Sequence, residues 1–247
     1  MEKRCVAALL LTLGTCITGL AAQPDPKALA ALEQTGRYLH ALPYFTLNVD
    51  SFTDRIVETG QVIETPQHTQ VLSVRPDKLQ VTVGVQQFFY DGKRFTLRDS
   101  GAGHYATIQA PAGIDPLFDQ FTDRYGIALP LADLFAWDAS TAGKVGVAGA
   151  EVIGKERIGD QTCIHYAYRQ PGIDWQLWVR EGAKPLPCRL VIVRNDINGL
   201  PRHSVNFDWD INRQPASSAF TFKPPAGASV VPLKSFEQEQ GPSAGEQ

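Results

Sequence analysis

The residues able to do chemistry in this chain are five histidines, two pairs of carboxylates and a few cysteines. His40, His68, His104, His165 and His203 stand one per stretch. None has the H-E-x-x-H spacing that would put two imidazoles on one helical face around a metal. No Cys or His neighbour completes a four-ligand set around Cys163 or Cys188, so no metal is expected, and no cofactor motif is present. A G-x-S-x-G nucleophile turn is absent, and Ser204 beside His203 is a dipeptide rather than a triad. Asp50/Asp54 and Asp208/Asp210 are the remaining acid–base material. Period-two spacing puts each pair on one side of a strand, where paired carboxylates could serve hydrolysis. Solvated strand faces produce the same pattern. His165, flanked by Cys163 on one strand face, reads as a satisfied strand residue. These residues supply no catalytic centre, and none is assigned.

The cysteines point to a compartment rather than a reaction. Lys3 and Arg4 precede an apolar run from Val6 to Leu20, followed by Ala21, Ala22 and Gln23. Charged, apolar, then small is the order of a secretory signal peptide, read here as residues 1–22. Gly19 and Ala21 give the small-x-small spacing for cleavage. The run is shorter than the ~20 apolar residues that span a bilayer. Leu13-Gly14-Thr15-Cys16 offers a second reading, a lipobox with Cys16 acylated and the protein tethered as a membrane-anchored lipoprotein, although Thr15 fits it poorly. The periplasm is the expected location either way. Export to an oxidising compartment favours a bridge between Cys163 and Cys188. That bridge requires their strands to be neighbours or to curl together within ~7 Å. Two buried thiols are the alternative.

These residues must be carried by elements, and most of those read as strands. Pro26–Leu42 has apolar residues at helical spacing behind Asp25, a capping residue, with Pro26 in the first turn. Alternation then begins at Phe45 and continues through Gly60–Glu64, Gln67–Val74 after a break at Pro66, Lys78–Val83, Gln86–Tyr90, Arg94–Arg98 and His104–Gln109. Asp91-Gly92 is a hairpin turn. Asp115–Tyr125 and Leu131–Phe135 read as two short helices. They present Leu117, Phe118, Phe121, Leu134 and Phe135, with Trp137 just beyond. Strands resume at Glu151 and are densest from Asp160 to Asp210. There Trp175, Leu177 and Val179 share one face, while Gln176, Trp178 and Arg180 share the other. Val205, Phe207, Trp209 and Ile211 alternate strictly. Residues 234–247 are polar and read as a loose tail.

The 247 residues are 43% hydrophobic and 20% charged with a net charge of −3, enough apolar material for a core and too little clustered base for nucleic acid. The expected fold is mainly β with a few helices (α+β). It is a single curved antiparallel sheet, too broad to stay flat, forming an unclosed half-barrel of about eleven strands. The N-terminal helix and the two-helix insertion pack on its concave face. Leu117, Phe118, Phe121, Leu134, Phe135, Trp137, Trp175, Phe207 and Trp209 are then the ligand-cavity residues. Such a cavity suits an apolar ligand.

A resemblance points the same way. Phe88–Leu97, F-F-Y-D-G-K-R-F-T-L, resembles a strand pair of the outer-membrane lipoprotein carriers. Cys163–Gln170, Gly172–Val179, Pro185–Ile192 and Phe220–Ala228 resemble a family of predicted periplasmic proteins, domain of unknown function 2092, over residues 26–233. The resemblance implies an unclosed barrel with helices inside it, of the kind in which the carriers hold acyl chains; the expected protein is a monomer that binds or carries a lipid or an acylated protein with transient membrane contact. A non-catalytic envelope module binding a protein partner is the alternative, and a hydrolase comes third.

Overall fold

The structure, a computed structural model, describes residues 23–125 and 146–233. The expected signal segment with Cys16, the expected helix at 131–135 with Leu134, Phe135 and Trp137, and the tail at 234–247 lie outside the described residues.

The chain opens with α1, Pro26–Ala41, capped by the Asp25 carboxylate accepting from the Lys27 N–H at 2.7 Å. Six strands follow: β1 Tyr44–Ile56, β2 Val62–Val74, β3 Lys78–Val83, β4 Gln86–Tyr90, β5 Arg94–Asp99 and β6 His104–Gln109. Helix α2, Ile114–Tyr125, comes next. The second run is β7 Gly149–Ile158, β8 Gln161–Gln170, β9 Ile173–Arg180, β10 Pro187–Arg194 and β11 Arg202–Asp210. A short 3-10 turn at Ser217–Phe220 and β12, Ser229–Val230, complete the described chain.

All twelve strands form one open sheet in the order β12-β6-β5-β4-β3-β2-β1-β11-β10-β9-β8-β7. Its centre is the β1–β11 pair, which joins the first run of strands to the second. Every pairing is antiparallel except that of β12 with β6, which is parallel and two residues long. The expected single antiparallel sheet therefore holds, with one short parallel strand added at its edge. A sheet this broad curls.

One expected break is absent. β2 runs unbroken through Pro66, which pairs with Phe52 of β1. β3 reaches only as far as Thr69. Pro66 thus lies where β2 has no neighbour on its other side, a place where a residue without an N–H is tolerated.

The two faces differ in kind. The register aligns Trp209, Leu47, Val71, Val81, Phe88 and Leu97 in one row across β11, β1, β2, β3, β4 and β5. Both helices pack on this face, called inner below. The core splits around them. The larger cluster joins Leu39 and Leu42 near the end of α1 and Leu117 and Phe121 of α2 to the strands β1–β5 and β11. The smaller joins Ala28 and Leu32 of α1 to Ala150, Tyr168, Trp175, Leu177 and Val179. A 16-residue helix is ~24 Å long, and the five spacings of ~4.8 Å from β7 to β1 span the same width. α1 therefore crosses the sheet from β7 towards β1. Its start is pinned there, since Asp25 N–H donates to the Ala150 carbonyl and Tyr168 Oη donates to the Ala28 carbonyl, both at 2.8 Å. Burial drives the Tyr168 phenol up out of its ordinary range, so it remains a donor.

The outer face is polar near the centre and carries a third, small cluster of Cys163, Trp178, Cys188 and Val191. The chain after β11 returns across the outer face of β4–β6, where the Phe222 ring meets Phe89 at 5.3 Å and Tyr105 at 4.9 Å. Beyond β12, Leu233 packs back against the larger inner cluster.

Candidate functional site

The inner face under α2 gathers most of the expected ligand-cavity residues. Leu117, Phe121, Phe207 and Trp209 belong to one buried cluster, with Phe118 packed against it. Trp175 lies in the neighbouring cluster beneath α1, and Leu190 touches both clusters. Alternation produces this grouping on the strand side. On the helix side, Leu117 and Phe121 are four residues apart and so fall on one face. The Phe121 ring sits 4.0 Å from Phe95 and stacks on Tyr125 at 5.3 Å. Trp209 is fixed at both ends: its ring meets Phe45 edge-on at 5.3 Å, and its Nε1 donates to the Pro187 carbonyl at 2.9 Å.

Among the described residues, α2 is attached in two ways. Its start is held by hydrogen bonds. Ile114 N–H donates to the Pro76 carbonyl at 3.0 Å, and Tyr90 Oη donates to the carbonyls of Pro111 at 2.6 Å and Gly113 at 3.3 Å. Gly113 has φ +98°, a conformation that residues with a Cβ rarely adopt. Past this point the inward side chains of α2 are apolar: Leu117 and Phe121 are fully buried. Among the described residues, hydrogen bonds hold the start of the helix and apolar contacts hold its body.

Arg75 is the residue that sequence reasoning missed. Its side chain is only 16% exposed, and its Nη1 lies 3.9 Å from the Asp115 carboxylate in the first turn of α2. Burial lowers the guanidinium pKa, and Asp115 acts the other way. Arg75 precedes Pro76 at the end of β2, and nothing in the alternation singles out an arginine there.

Most of the residues considered for acid–base work are spent on structure, and Asp208 is exposed opposite Asn48 on the outer face. Asp50 meets His68 Nδ1 at 2.8 Å on the exposed outer face. Asp54 accepts the Arg202 N–H at 3.0 Å, and Asp210 caps the turn after β11 by accepting from Asn212 N–H at 3.0 Å. His203 Nδ1 bonds Thr53 Oγ1 at 2.8 Å, and burial lowers its pKa. His165 is buried and engaged at both nitrogens, with Glu156 Oε1 at 2.9 Å and Gln176 Oε1 at 3.0 Å. Its ring stacks on Trp178 at 3.9 Å. Trp178 Nε1 donates to Glu156 Oε2 at 2.7 Å. This bond first, and then the one from His165, holds the Glu156 carboxyl below its usual range. Among the described residues no group of three or more His, Cys, Asp or Glu is placed to hold a metal ion.

Cys163 and Cys188 form a disulfide, with Cα atoms 6.8 Å apart. Their strands are not neighbours, because β9 lies between β8 and β10. Cys163 pairs with Arg180, the last residue of β9, and Cys188 sits at the bulge between Pro187 and Arg189. The bridge therefore straddles the end of the intervening strand. Among the described residues no helix is long and apolar enough to cross a membrane.

Residues 28–234 match a family described as predicted periplasmic protein (DUF2092). No curated protein matches the sequence. Among solved structures, an uncharacterized conserved protein from Thermus thermophilus is similar at 11% identity and TM-score 0.45, over 83% of this chain and 99% of that one. LprF from Mycobacterium bovis is similar at 12% identity and TM-score 0.42, over 84% and 100%. A LolA superfamily protein from Nitrosomonas europaea is similar at 14% identity and TM-score 0.37, over 79% and 97%.

Proposed function

We propose, for a chain that belongs to the DUF2092 family of predicted periplasmic proteins, that it holds an apolar ligand, a lipid or a protein's acyl chain, against the inner face of its sheet. The observation that carries this reading is the mounting of α2. Hydrogen bonds fix its start at Tyr90, Pro76 and Gly113, while Leu117 and Phe121 hold its body by apolar contact. Swinging such a helix away breaks no backbone ladder. An acyl chain that takes its place restores the apolar burial at ~0.8 kcal/mol per methylene.

The mechanism is displacement. With no ligand, Leu117, Phe118 and Phe121 cover Phe207, Trp209 and the strands around them. With ligand, α2 turns about Gly113 and the acyl chain lies on those side chains, with Trp175 at the far end beneath α1. A ligand shifts such an equilibrium by its differential affinity for the open state. Leu134, Phe135 and Trp137 belong to the same proposal as part of the cover. Release falls to a membrane or an acyl-accepting partner that competes for the chain. The reading is non-catalytic, in keeping with histidines and carboxylates engaged in structural hydrogen bonds. It places the protein in the periplasm after removal of a signal peptide.

The test is to extract the purified protein with organic solvent and identify by mass spectrometry whatever it carried. It is paired with titration of dansyl-undecanoic acid. Co-purified lipid and saturable, blue-shifted probe fluorescence are expected. A clean extract together with no probe binding would overturn the reading.

A further inference from the structure

The outer face carries a feature that the displacement mechanism does not use. A cleft of ≈ 350 Å³ lies over β4–β6, on the opposite side of the sheet from α2. Its floor is the cross-strand row Phe89, Thr96, Thr107, in which the two threonine hydroxyls bond each other at 2.9 Å. One wall is aromatic: the Phe222 ring, brought across by the returning chain, with Tyr105 beside it. Asp91 and Arg94, from the turn between β4 and β5, also line the cleft. Their side chains pair at 3.6 Å. Burial raises the Asp91 pKa, but the N–H groups of Arg94 and Lys93 with the Arg94 and Lys78 charges outweigh it, so the carboxylate is held ionised.

We propose that this cleft binds one or two rings of a neutral saccharide. Four properties of the lining select that class. The volume lies in the small-molecule range. Ring faces offer flat apolar surface, which suits the C–H face of a sugar. The threonine hydroxyls, the carboxylate and the guanidinium can donate and accept around a ring of hydroxyls. The Arg94 charge is met by Asp91, so the site has no net charge to attract a phosphate or an acidic sugar. An acyl chain would take Asp91, Arg94 and the threonines out of water with only one another and the turn N–H groups as partners, which is costly. An extended peptide would need a free sheet edge, and beside Tyr105, where the cleft lies, β12 takes that edge.

Phe222 stacks over the sugar from the returning chain while Phe89 and Tyr105 support it from the sheet. The site uses neither α2 nor the inner face, so it stands or falls independently of lipid holding.

The experiment is an amide-shift titration of the isotope-labelled full chain with cellobiose and, separately, N,N′-diacetylchitobiose. Saturable shifts confined to β4–β6 and residues 217–230 are expected with at least one of the two. Arg94→Ala, at an exposed position, and Phe222→Ala are each expected to weaken binding by about tenfold or more. Trp178→Phe, elsewhere on the outer face, leaves binding unchanged. Arg94→Ala leaves dansyl-undecanoic acid binding unchanged, which separates this site from the inner one. The proposal is overturned if neither disaccharide gives saturable shifts, if the shifts lie elsewhere, or if Arg94→Ala binds as tightly as the parent. It is also overturned if palmitate, and not a saccharide, perturbs the cleft.

Discussion

If α2 is a displaceable cover, weakening its seat should strengthen ligand binding, and Leu117→Ala isolates that effect. Leu117 is fully buried against the strands, so truncation removes transfer free energy and leaves a cavity. Leucine-to-alanine changes at such sites cost about 3 kcal/mol. If the loss falls on the seated helix alone, the equilibrium between seated and displaced α2 moves by the same amount, roughly 100-fold. Apparent affinity scales with the fraction of protein already competent to bind, so the dissociation constant for dansyl-undecanoic acid should fall by up to about 100-fold. Urea unfolding of the same variant measures the stability lost. Val191→Ala is the control, since it opens a buried site on the outer face away from α2. It should lower stability without raising affinity. The reasoning is refuted if Leu117→Ala binds the probe no better than the parent, because Leu117 would then be a wall of the site or α2 would never leave. It is equally refuted if Val191→Ala gains as much, since general loosening would explain both.

Three further outcomes follow from the same contacts. Tyr90→Phe removes the hydroxyl that donates to the Pro111 and Gly113 carbonyls, and should lower stability by about 1–2 kcal/mol in urea titrations while increasing hydrogen exchange at the start of α2. Replacing both Cys163 and Cys188 by alanine opens a cross-link between residues 25 apart, a loss of about 3.5 kcal/mol on the chain-entropy account, to be read from the urea midpoint and slope. Acidification should destabilise the protein in two stages. The His203 pKa is lowered on folding, so its contribution is present above the unfolded value and is lost as pH falls from about 6.5 towards the folded value. The Glu156 carboxyl is also held low, so its contribution is lost only at more acid pH. His203→Gln should flatten the upper stage and leave the lower one in urea midpoints measured across pH.

Much of the fold was legible because alternation is a strong signal when one face of a strand is buried. β3, β4 and β6 have the bounds their patterns predicted, and Trp175 and Trp178 fall on opposite faces as their parity requires. Pro66 misled, since a proline is read as a break without knowing which side of the strand lacks a neighbour. The cysteine pairing could not be settled from spacing, because a bridge over the end of an intervening strand depends on the bulge at Pro187 and Arg189. Grouping Leu117, Phe118 and Phe121 with Phe207 and Trp209 followed from apolar periodicity alone. The partners of Arg75, the Tyr90 bond to Gly113 and the outer cleft did not, since each depends on chain segments distant in sequence.

The placement of the disulfide has a consequence for how this sheet can deform. By tying β8 to β10 across the end of β9, and with α1 pinned to β7 and β8, the fold makes that wing a stiff plate. The opposite wing, β3 to β6, has no covalent tie among the described residues. If the shell widens to admit a guest as proposed, the widening is lopsided, with the β3–β6 flank yielding while the cystine-bearing flank keeps its shape.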